Sequence, residues 1–262
     1  MRQRSAPRVM LPDERKREIV QLVTARDGCS VEELASQLGV SKTTIRRDLN
    51  DLDQQNLVDR THGGAIPVVD RVNEYEQRTI QNREAKEAIA ERAAAEVHEE
   101  QVVAFDSGST TLEVSRQTPD DLSFAVLTNH PMIAYELGGG PADVRLTGGK
   151  FELEQEMLVG PLVETAVERM NFDLAFIGAE GIAADASVTT AFHDAAKIKR
   201  LFIANSRRSV VVADGSKLDN RSVVEFCDFS EIDLLVTEVP VPPDLRGALL
   251  DYDVAVADDL TP

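Results

Sequence analysis

The chain has 262 residues, 42% of them hydrophobic and 28% charged, with a formal net charge of -18, so it can bury cores in a large and a small domain. It has no run of about 18 apolar residues, and its first residues have no apolar core, which argues against a membrane span or a secretory signal. Two distant cysteines and four scattered histidines show no metal-ligand spacing, so we expect no metal site and no cofactor in a cytoplasmic protein.

The negative charge is unevenly distributed along the chain. Residues 1 to 70 hold 11 lysines and arginines against 11 acids, whereas residues 71 to 262 hold 17 against 35. Lysines make up only 7 of the 28 basic residues. An acidic surface with few lysines is typical of proteins in molar salt, such as those of halophilic archaea, although one acidic protein can have this composition by chance. The whole acidic excess lies after the first 70 residues.

Helical signals come first in chain order. Apolar residues at helical spacing follow Pro12, which predicts a first helix from about 13 to 26. Ser30 and Glu33 form a capping box, in which each side chain satisfies a free amide, and Gly39 should end this second helix.

A third helix should begin after Ser41, a good N-cap, with Ile45, Leu49 and Leu52 facing the core. Its other face carries basic and hydroxyl groups, in the way that a recognition helix enters the major groove of DNA. Residues 57 to 68 then predict a hairpin with glycines at the turn, where positive φ is needed. Together these elements predict a winged helix-turn-helix. An ordinary helical domain with a solvated basic face has the same periodicity, so the pattern alone leaves DNA binding open.

Longer motifs in this region resemble a known family. The run VEELASQLGVSKTTIRRDLNDLDQQNLVDRTHGGAI, with its SxxTIRRDL core and closing RTHGGA, is similar to the DNA-binding domain of DeoR-family, or GlpR-type, bacterial and archaeal repressors. The resemblance implies a regulator that binds an operator in double-stranded DNA, with arginines forking onto guanine. It places Ser41, Lys42, Thr43, Thr44, Arg46 and Arg47 on the recognition helix, and Arg60, His62 and Gly63 on the wing.

The polar stretch at 69 to 84 suits an exposed connector or the start of a helix, and Ile89, Ala93 and Val97 predict a helix over 85 to 97. We therefore expect a winged helix-turn-helix domain at 13–68, a linker at 69–84 and a larger domain at 85–258.

The larger domain is predicted to be α/β. Short apolar runs at 102 to 105, 124 to 127, 144 to 146, 174 to 178, 209 to 213 and 233 to 237 alternate with helical patterns. This alternation predicts a mostly parallel sheet with helical crossovers, whose ligand crevice lies at the carboxyl ends of the strands.

The loop SGSTT, at 107 to 111, is the strongest candidate for chemistry. Gly108 lets a ligand approach the backbone, the hydroxyls can donate, and a helix beginning near Thr110 would direct its free amides into the loop. A capped turn between strand and helix has the same composition, but Lys150 and Lys217 also follow strands and could neutralise a phosphate. Neither a Walker lysine nor a GxGxxG motif is present, which disfavours nucleoside triphosphates and dinucleotides.

The larger domain also resembles the DeoR family's effector domain, in AFDSGSTTLE, VLTNHP, LTGGK, MLVGPL, FIGAEGI, VTT and VVADGSKL. The resemblance implies a fold similar to ribose-5-phosphate isomerase and CoA-transferase-like proteins, and a phosphorylated sugar or glycerol 3-phosphate as effector. The implied pocket residues are Asp106, Ser107, Gly108, Ser109, Thr110, Thr111, Gly149, Lys150, Glu180, Lys199 and Lys217. The family's GADG is GAEG here and its TTPD is TTAF, which leaves the effector's identity open.

These patterns allow two functions, a regulator or a sugar-phosphate isomerase-like enzyme with an appended DNA-binding domain. The enzyme would need paired carboxylates for acid and base steps, and IGAEG offers one acid without a second beside it. We therefore expect a regulator, either repressor or activator, that forms a dimer or tetramer to meet two half-sites. The helix at 85 to 97 or the acidic sheet domain would supply the assembly surface.

Overall fold

The computed structural model describes residues 12–26, 28–54, 58–61, 63–67, 75, 78–79 and 81–260. They fall into two compact units, Met1–Asn73 and Glu74–Pro262, each with hydrophobic clusters of its own. No helix in these ranges is both long and apolar enough to cross a membrane.

The first unit is a winged helix-turn-helix. Its helices are α1 (Pro12–Ala25), α2 (Val31–Leu38) and α3 (Lys42–Gln54), and its strands are β1 (Cys29–Ser30), β2 (Val58–Arg60) and β3 (Gly64–Pro67). The strands form an antiparallel sheet in the order β1–β3–β2. The three predicted helices and the hairpin are confirmed, whereas β1 was not predicted.

The turn between α2 and α3 follows from local hydrogen bonding. The Ser30 hydroxyl accepts from the Glu33 amide at 3.2 Å, and the Glu33 carboxylate accepts from the Ser30 amide at 2.8 Å, which is the predicted capping box. Gly39 ends α2 with φ of 65°, a left-handed conformation that favours glycine. The apolar face of α3 then packs Ile45 and Leu49, both fully buried, against α1 and α2.

The wing glycines have a different role from the one predicted. Neither Gly63 nor Gly64 adopts a positive φ. A Cβ on Gly64 would instead overlap the Cys29 carbonyl oxygen and lie 2.7 Å from the Ser30 Cα. Glycine is therefore needed at 64 because β1 approaches β3 closely, a contact that the sequence did not reveal.

The second unit is an α/β domain. Its helices are α4 (Arg83–Ala94), α5 (Ser109–Gln117), α6 (Pro131–Leu137), α7 (Pro161–Glu168), α8 (His193–Ala204) and α9 (Pro243–Asp251). Its strands are β4 (Val102–Phe105), β5 (Ala125–Thr128), β6 (Asp143–Leu146), β7 (Lys150–Glu152), β8 (Met157–Val159), β9 (Leu174–Gly178), β10 (Gly181–Ile182), β11 (Ser187–Thr190), β12 (Ser209–Val212), β13 (Val224–Asp228), β14 (Leu234–Val236) and β15 (Ala255–Ala257).

Seven of these strands form one parallel sheet in the order β15–β14–β12–β9–β4–β5–β6. All six predicted strands are confirmed, and β15 adds a seventh. Both faces of the sheet are covered, since Ala104 of β4 joins one hydrophobic cluster while its neighbours Val103 and Phe105 join the other. A smaller antiparallel sheet, β10–β11–β13, and the hairpin β7–β8 were not predicted.

Helix α4 covers one face of the large sheet. It ends at Ala94 rather than at 97, and Ile89, Ala90 and Ala93 on its apolar face are fully buried in the domain's own core. Since this face is occupied within the chain, only the polar side of α4 is left for assembly with another copy. That this helix or the acidic sheet domain supplies the assembly surface stays a prediction.

Candidate functional site

The first candidate surface is the exposed side of α3. Ser41 accepts a hydrogen bond from the Thr44 amide at 3.1 Å and so caps the helix. Thr43, Arg46 and Arg47 are exposed, and Thr44 is half-buried. Lys42 is exposed too, but it is paired with Glu32 of α2. The structure thus brings the predicted recognition residues onto one helix, with the two arginines directed away from the core.

The wing is joined to this helix by Arg60. Its amide donates to the Asp53 carboxylate at 3.0 Å, and its guanidinium donates to the Asn50 side chain. Gly63 is exposed, and its carbonyl accepts from the Val31 amide at 2.9 Å. His62 lies outside the described residues. Arg60 therefore stands beside α3, where one surface combines a helix and a strand.

Asp48 is a buried residue of α3 that the sequence analysis missed and that supports the candidate surface from behind. Its carboxylate accepts from the Arg15 Nε at 2.6 Å and from Nη2 at 3.1 Å, with side chains that are 6% and 11% exposed. This ion pair ties α1 to α3. A signal was present in the sequence, because Asp48 lies on the same helical stripe as Ile45, Leu49 and Leu52, where a carboxylate requires a buried partner.

The second candidate site is a pocket in the second unit that is partly open to solvent. It lies where β4 and β9 are neighbours. On one side of β4 lie β5 and β6, which follow it directly in the chain, and on the other side lie β9, β12, β14 and β15, which come later, so the strand order reverses at this point. Crevices at such a switch point are the usual ligand sites of parallel sheets. The lining includes Ser107, Gly108, Ser109 and Thr110 after β4, Gly178, Ala179 and Glu180 after β9, Asp214 and Lys217 after β12, and Lys199 of α8.

Lys199 lines this pocket and forms a buried ion pair with Asp106, which was predicted to line the pocket but is not itself a lining residue. Their side chains are 5% and 1% exposed, and Lys199 also donates to the Gly178 carbonyl at 3.0 Å. Asp106 accepts from the Gly178 amide at 3.0 Å. Burial raises the pKa of Asp106, and the Lys199 ammonium opposes that rise. The two residues therefore hold β4, β9 and α8 together, and each neutralises most of the other's charge.

The hydroxyls of the SGSTT loop do not all face the pocket. Thr111 is fully buried and donates to the carbonyls of Asp106 at 2.8 Å and Gly108 at 2.9 Å. Ser109 and Thr110 line the pocket and form the first turn of α5, which begins one residue before the predicted position. Gly108 is the N-cap and has no side chain with which to cap this turn, so the turn's amides are available to an anion.

Lys217 is the cation best placed for an anionic ligand. It ends a short turn that Asp214 caps by accepting from the Ser216 amide at 3.0 Å. Within the described ranges, no ion pair involves Lys217. Its half-buried ammonium group therefore faces the pocket without a competing carboxylate partner.

Gly149 and Lys150 are placed differently, on the hairpin β7–β8 rather than in the pocket lining. Lys150 is exposed and pairs with Glu152 at 2.7 Å. Gly149 has φ of 118° and packs closely on Val159. The separation follows from strand order, because β6, which precedes this hairpin, is the edge strand and lies two strands away from β4.

Several lining residues come from before and within α4 and were not predicted. They are Tyr75, Arg78, Gln81, Asn82 and Lys86, together with Gln155 from the segment between β7 and β8. Burial lowers the pKa of Lys86, and the nearby Lys217 and Arg78 lower it further. A signal was present in the sequence, since Lys86 interrupts an alanine-rich helical face.

The fold and both sites define a class of protein, the DNA-binding transcriptional regulators that carry a ligand-sensing domain on the same chain. Residues 15–69 match the DeoR-like helix-turn-helix domain, and residues 81–239 match the DeoR C terminal sensor domain. The chain belongs to the DeoR family of transcriptional regulators.

Its relatives are named as regulators. The chain is 46% identical over 251 residues to the HTH-type transcriptional regulator GlpR of Haloferax volcanii, covering 95% of this chain and 98% of the relative. It is 30% identical to the glycerol-3-phosphate regulon repressor of Escherichia coli K12, covering 94% and 98%. A ribose 5-phosphate isomerase from Methanocaldococcus jannaschii is 17% identical, with a TM-score of 0.39 over 55% of this chain and 56% of that one.

Proposed function

We propose that this protein is a repressor that binds an operator in double-stranded DNA as a homodimer or homotetramer. A phosphorylated sugar or glycerol 3-phosphate in the pocket of the second unit releases it. The observation that supports this most directly is that Lys217, which forms no ion pair with any residue that the structure describes, lines the same pocket as the first turn of α5, which no side chain caps. A lysine and free helix amides together suit a phosphate, which both charge and hydrogen bonding stabilise.

The sugar end of the ligand would meet the polar groups on the remaining walls. Gln155 and Asn82 offer amides in the same pocket. Such groups can hydrogen-bond to hydroxyls of glycerol 3-phosphate or of a ketohexose phosphate. The name of the Escherichia coli relative supports glycerol 3-phosphate as the first compound to test.

The deciding experiment measures binding of the purified protein to its own upstream DNA in molar KCl during titration with candidate ligands. These are glycerol 3-phosphate, fructose 1-phosphate, fructose 6-phosphate and free fructose. We expect one phosphorylated compound to release the DNA while free fructose does not. Specific DNA binding that none of the phosphates changes would overturn the effector part of the proposal, and an absence of specific binding would overturn the assignment of this operator.

Replacing Lys217 with alanine should leave operator binding intact but raise the effector concentration for half-release by about tenfold or more, because a charge-assisted contact to phosphate is lost. Fluorescence anisotropy of labelled operator DNA measures this. Lys150→Ala is the matched control, since it removes the same charge from a hairpin outside the pocket. Equal effects of the two variants would show that the loss reflects general charge and not a pocket contact.

Replacing Arg46 with alanine should weaken operator binding by about 1–3 kcal/mol and reduce discrimination between operator and unrelated DNA, because arginine can bond to both guanine acceptors. In molar salt the Debye length is only about 3 Å, which screens the acidic second unit from DNA and also weakens phosphate contacts. Competition binding against both DNAs measures discrimination, with the exposed Arg207→Ala as control. A uniform loss on both DNAs would make Arg46 a phosphate contact instead.

A further inference from the structure

The wall of the pocket includes a segment that neither family match covers. The helix-turn-helix match ends at residue 69 and the sensor match begins at 81. Tyr75 and Arg78 lie in this gap, yet they line the pocket together with Ser109 and Lys217. We use the name connector segment for the described residues before α4, which are residues 75, 78, 79, 81 and 82 and belong to the second unit.

The connector segment is held on the second unit by several contacts. Tyr75 is 3% exposed, and its ring lies 5.2 Å from that of His130. Lys86 of α4 donates to the Gln81 carbonyl at 2.7 Å and also to that of Arg78. Asn82 donates to the Asp214 carboxylate at 2.9 Å. Tyr75, Arg78, Gln81 and Asn82 are thus held in the wall of the pocket.

Arg78 is held less tightly than the backbone that carries it. Its guanidinium lies 3.6 Å from Glu180 and 5.5 Å from the centre of the Tyr75 ring. A strong charge-assisted hydrogen bond would be about 2.7–2.9 Å long, so the contact with Glu180 is weak. Glu180 also accepts from the Ala191 amide at 2.8 Å and keeps that bond if Arg78 moves away. An anion can therefore compete for Arg78 without leaving Glu180 unsatisfied.

Four cations line this pocket, namely Arg78, Lys86, Lys199 and Lys217. Lys199 is paired with Asp106, and Lys86 is committed to two carbonyl groups. Burial lowers the pKa of Lys86, Asp214 opposes this, and Lys217 and Arg78 lower it further, a repulsion that an anion between them would relieve. Arg78 and Lys217 are therefore the two cations best able to bind an anion, and they come from different segments of the chain.

We propose that Arg78 is a direct ligand of the effector's phosphate, and that it exchanges Glu180 for the phosphate when the effector binds. This deepens the proposed function and rests on it. The effector is then bound jointly by the sensor domain and by the segment that leads to the DNA-binding unit. A ligand shifts an equilibrium only when its affinity differs between the two states, here the DNA-bound and the released protein. Such a difference arises if the contact between the effector and Arg78 forms in the released protein alone.

Two substitutions separate this role from a structural one, because they should act in opposite directions. Arg78→Ala should weaken binding of the phosphorylated compound by about tenfold or more, since a charged contact is lost. Glu180→Gln removes the competitor, keeps an acceptor for the Ala191 amide, and should leave binding unchanged or tighter. If Arg78 and Glu180 only brace the fold, both variants weaken binding. That outcome would overturn the inference.

The measurement is isothermal titration calorimetry on the full chain with glycerol 3-phosphate, fructose 1-phosphate, fructose 6-phosphate and inorganic phosphate. Arg78→Lys, which keeps the charge, should retain part of the affinity, and it decides the matter if Arg78→Ala does not fold. Arg207→Ala controls for loss of a surface arginine. If the parent protein binds none of the three phosphorylated compounds, the proposed function fails. If it binds one, and Lys217→Ala weakens binding while the Arg78 variants do not, only this inference fails.

A second readout concerns coupling to DNA. Tyr75→Ala removes the buried ring that anchors the connector segment, whereas Tyr75→Phe removes only a hydroxyl that bonds to no described residue. We expect Tyr75→Ala to reduce the change in operator affinity that the effector produces, and Tyr75→Phe to preserve it. If Tyr75→Ala binds the effector normally and the effector changes its operator affinity as much as in the parent protein, the connector segment does not link effector binding to DNA release.

Discussion

Replacing Lys199 with methionine should destabilise the second unit by about 3–5 kcal/mol, because it leaves the Asp106 carboxylate buried without its counter-charge. For a domain of this size the loss corresponds to a fall in Tm of roughly 10 °C. Asp106 is 1% exposed and would keep neutral donors alone, the Gly178 amide at 3.0 Å and the groups of Ser107. Thermal unfolding followed by circular dichroism measures the loss.

The pH dependence of that variant provides its control. Without Lys199, burial raises the pKa of Asp106 above its unfolded value, so the folded state is favoured when the group is protonated. The loss of unfolding free energy in Lys199→Met should therefore become smaller as the pH falls and larger as the pH rises. The double variant Lys199→Met, Asp106→Asn removes the charge and keeps an acceptor for Gly178, and we expect it to recover much of the lost stability. A single variant as stable as the parent at neutral pH would contradict this account of the pair.

Replacing Asp48 with alanine should destabilise the first unit by about 3 kcal/mol and lower operator affinity, because Arg15 is left largely buried without a partner and α1 is no longer tied to α3. Asp51→Ala is the matched control on the same helix. Asp51 pairs with Lys16 at 2.7 Å but its side chain is 42% exposed, and exposed pairs contribute little.

Chemical denaturation and operator binding together test this prediction. If Asp48→Ala unfolds the first unit outright, Asp48→Asn keeps an acceptor for Arg15 and should give an intermediate loss. Equal stability of the Asp48 and Asp51 variants would mean that the Arg15 pair does not position α3.

Much of the fold could be predicted because each central strand is an apolar run, and the helices carry local signals such as Ser30 with Glu33. The missed elements lack such signals. Strand β11 has the polar sequence SVTT but is fully buried, with the Thr189 hydroxyl donating to the Gly181 carbonyl at 3.0 Å. Strand β1 has two residues and exists only because β3 lies beside it. Their stability comes from partners far away in the chain.

The candidate pocket was predictable in its loops but not in its outline. Residues after β4 and β12 do line one cavity, as the strand-end pattern suggested, and Glu180, which the family resemblance implied, lines it too. Lys150 looked equivalent to Lys217 because both follow strands, and only the order of strands across the sheet separates them. No pattern of apolar spacing contains that order. Tyr75 and Arg78 were missed as lining residues for a similar reason, since their polar stretch carries no strand-end signal and their pocket neighbours Ser109 and Lys217 are far away in the chain.

The placement of the connector segment limits how regulators of this kind can be recombined. A chimera joined at residue 81, where the sensor match begins, would bring Tyr75 and Arg78 from the donor of the DNA-binding domain. It would exchange part of the ligand pocket together with the operator specificity. A junction before residue 75 keeps the pocket whole. In evolution, too, the stretch just before the sensor domain should change with the inducer that a regulator responds to rather than with the promoter it occupies.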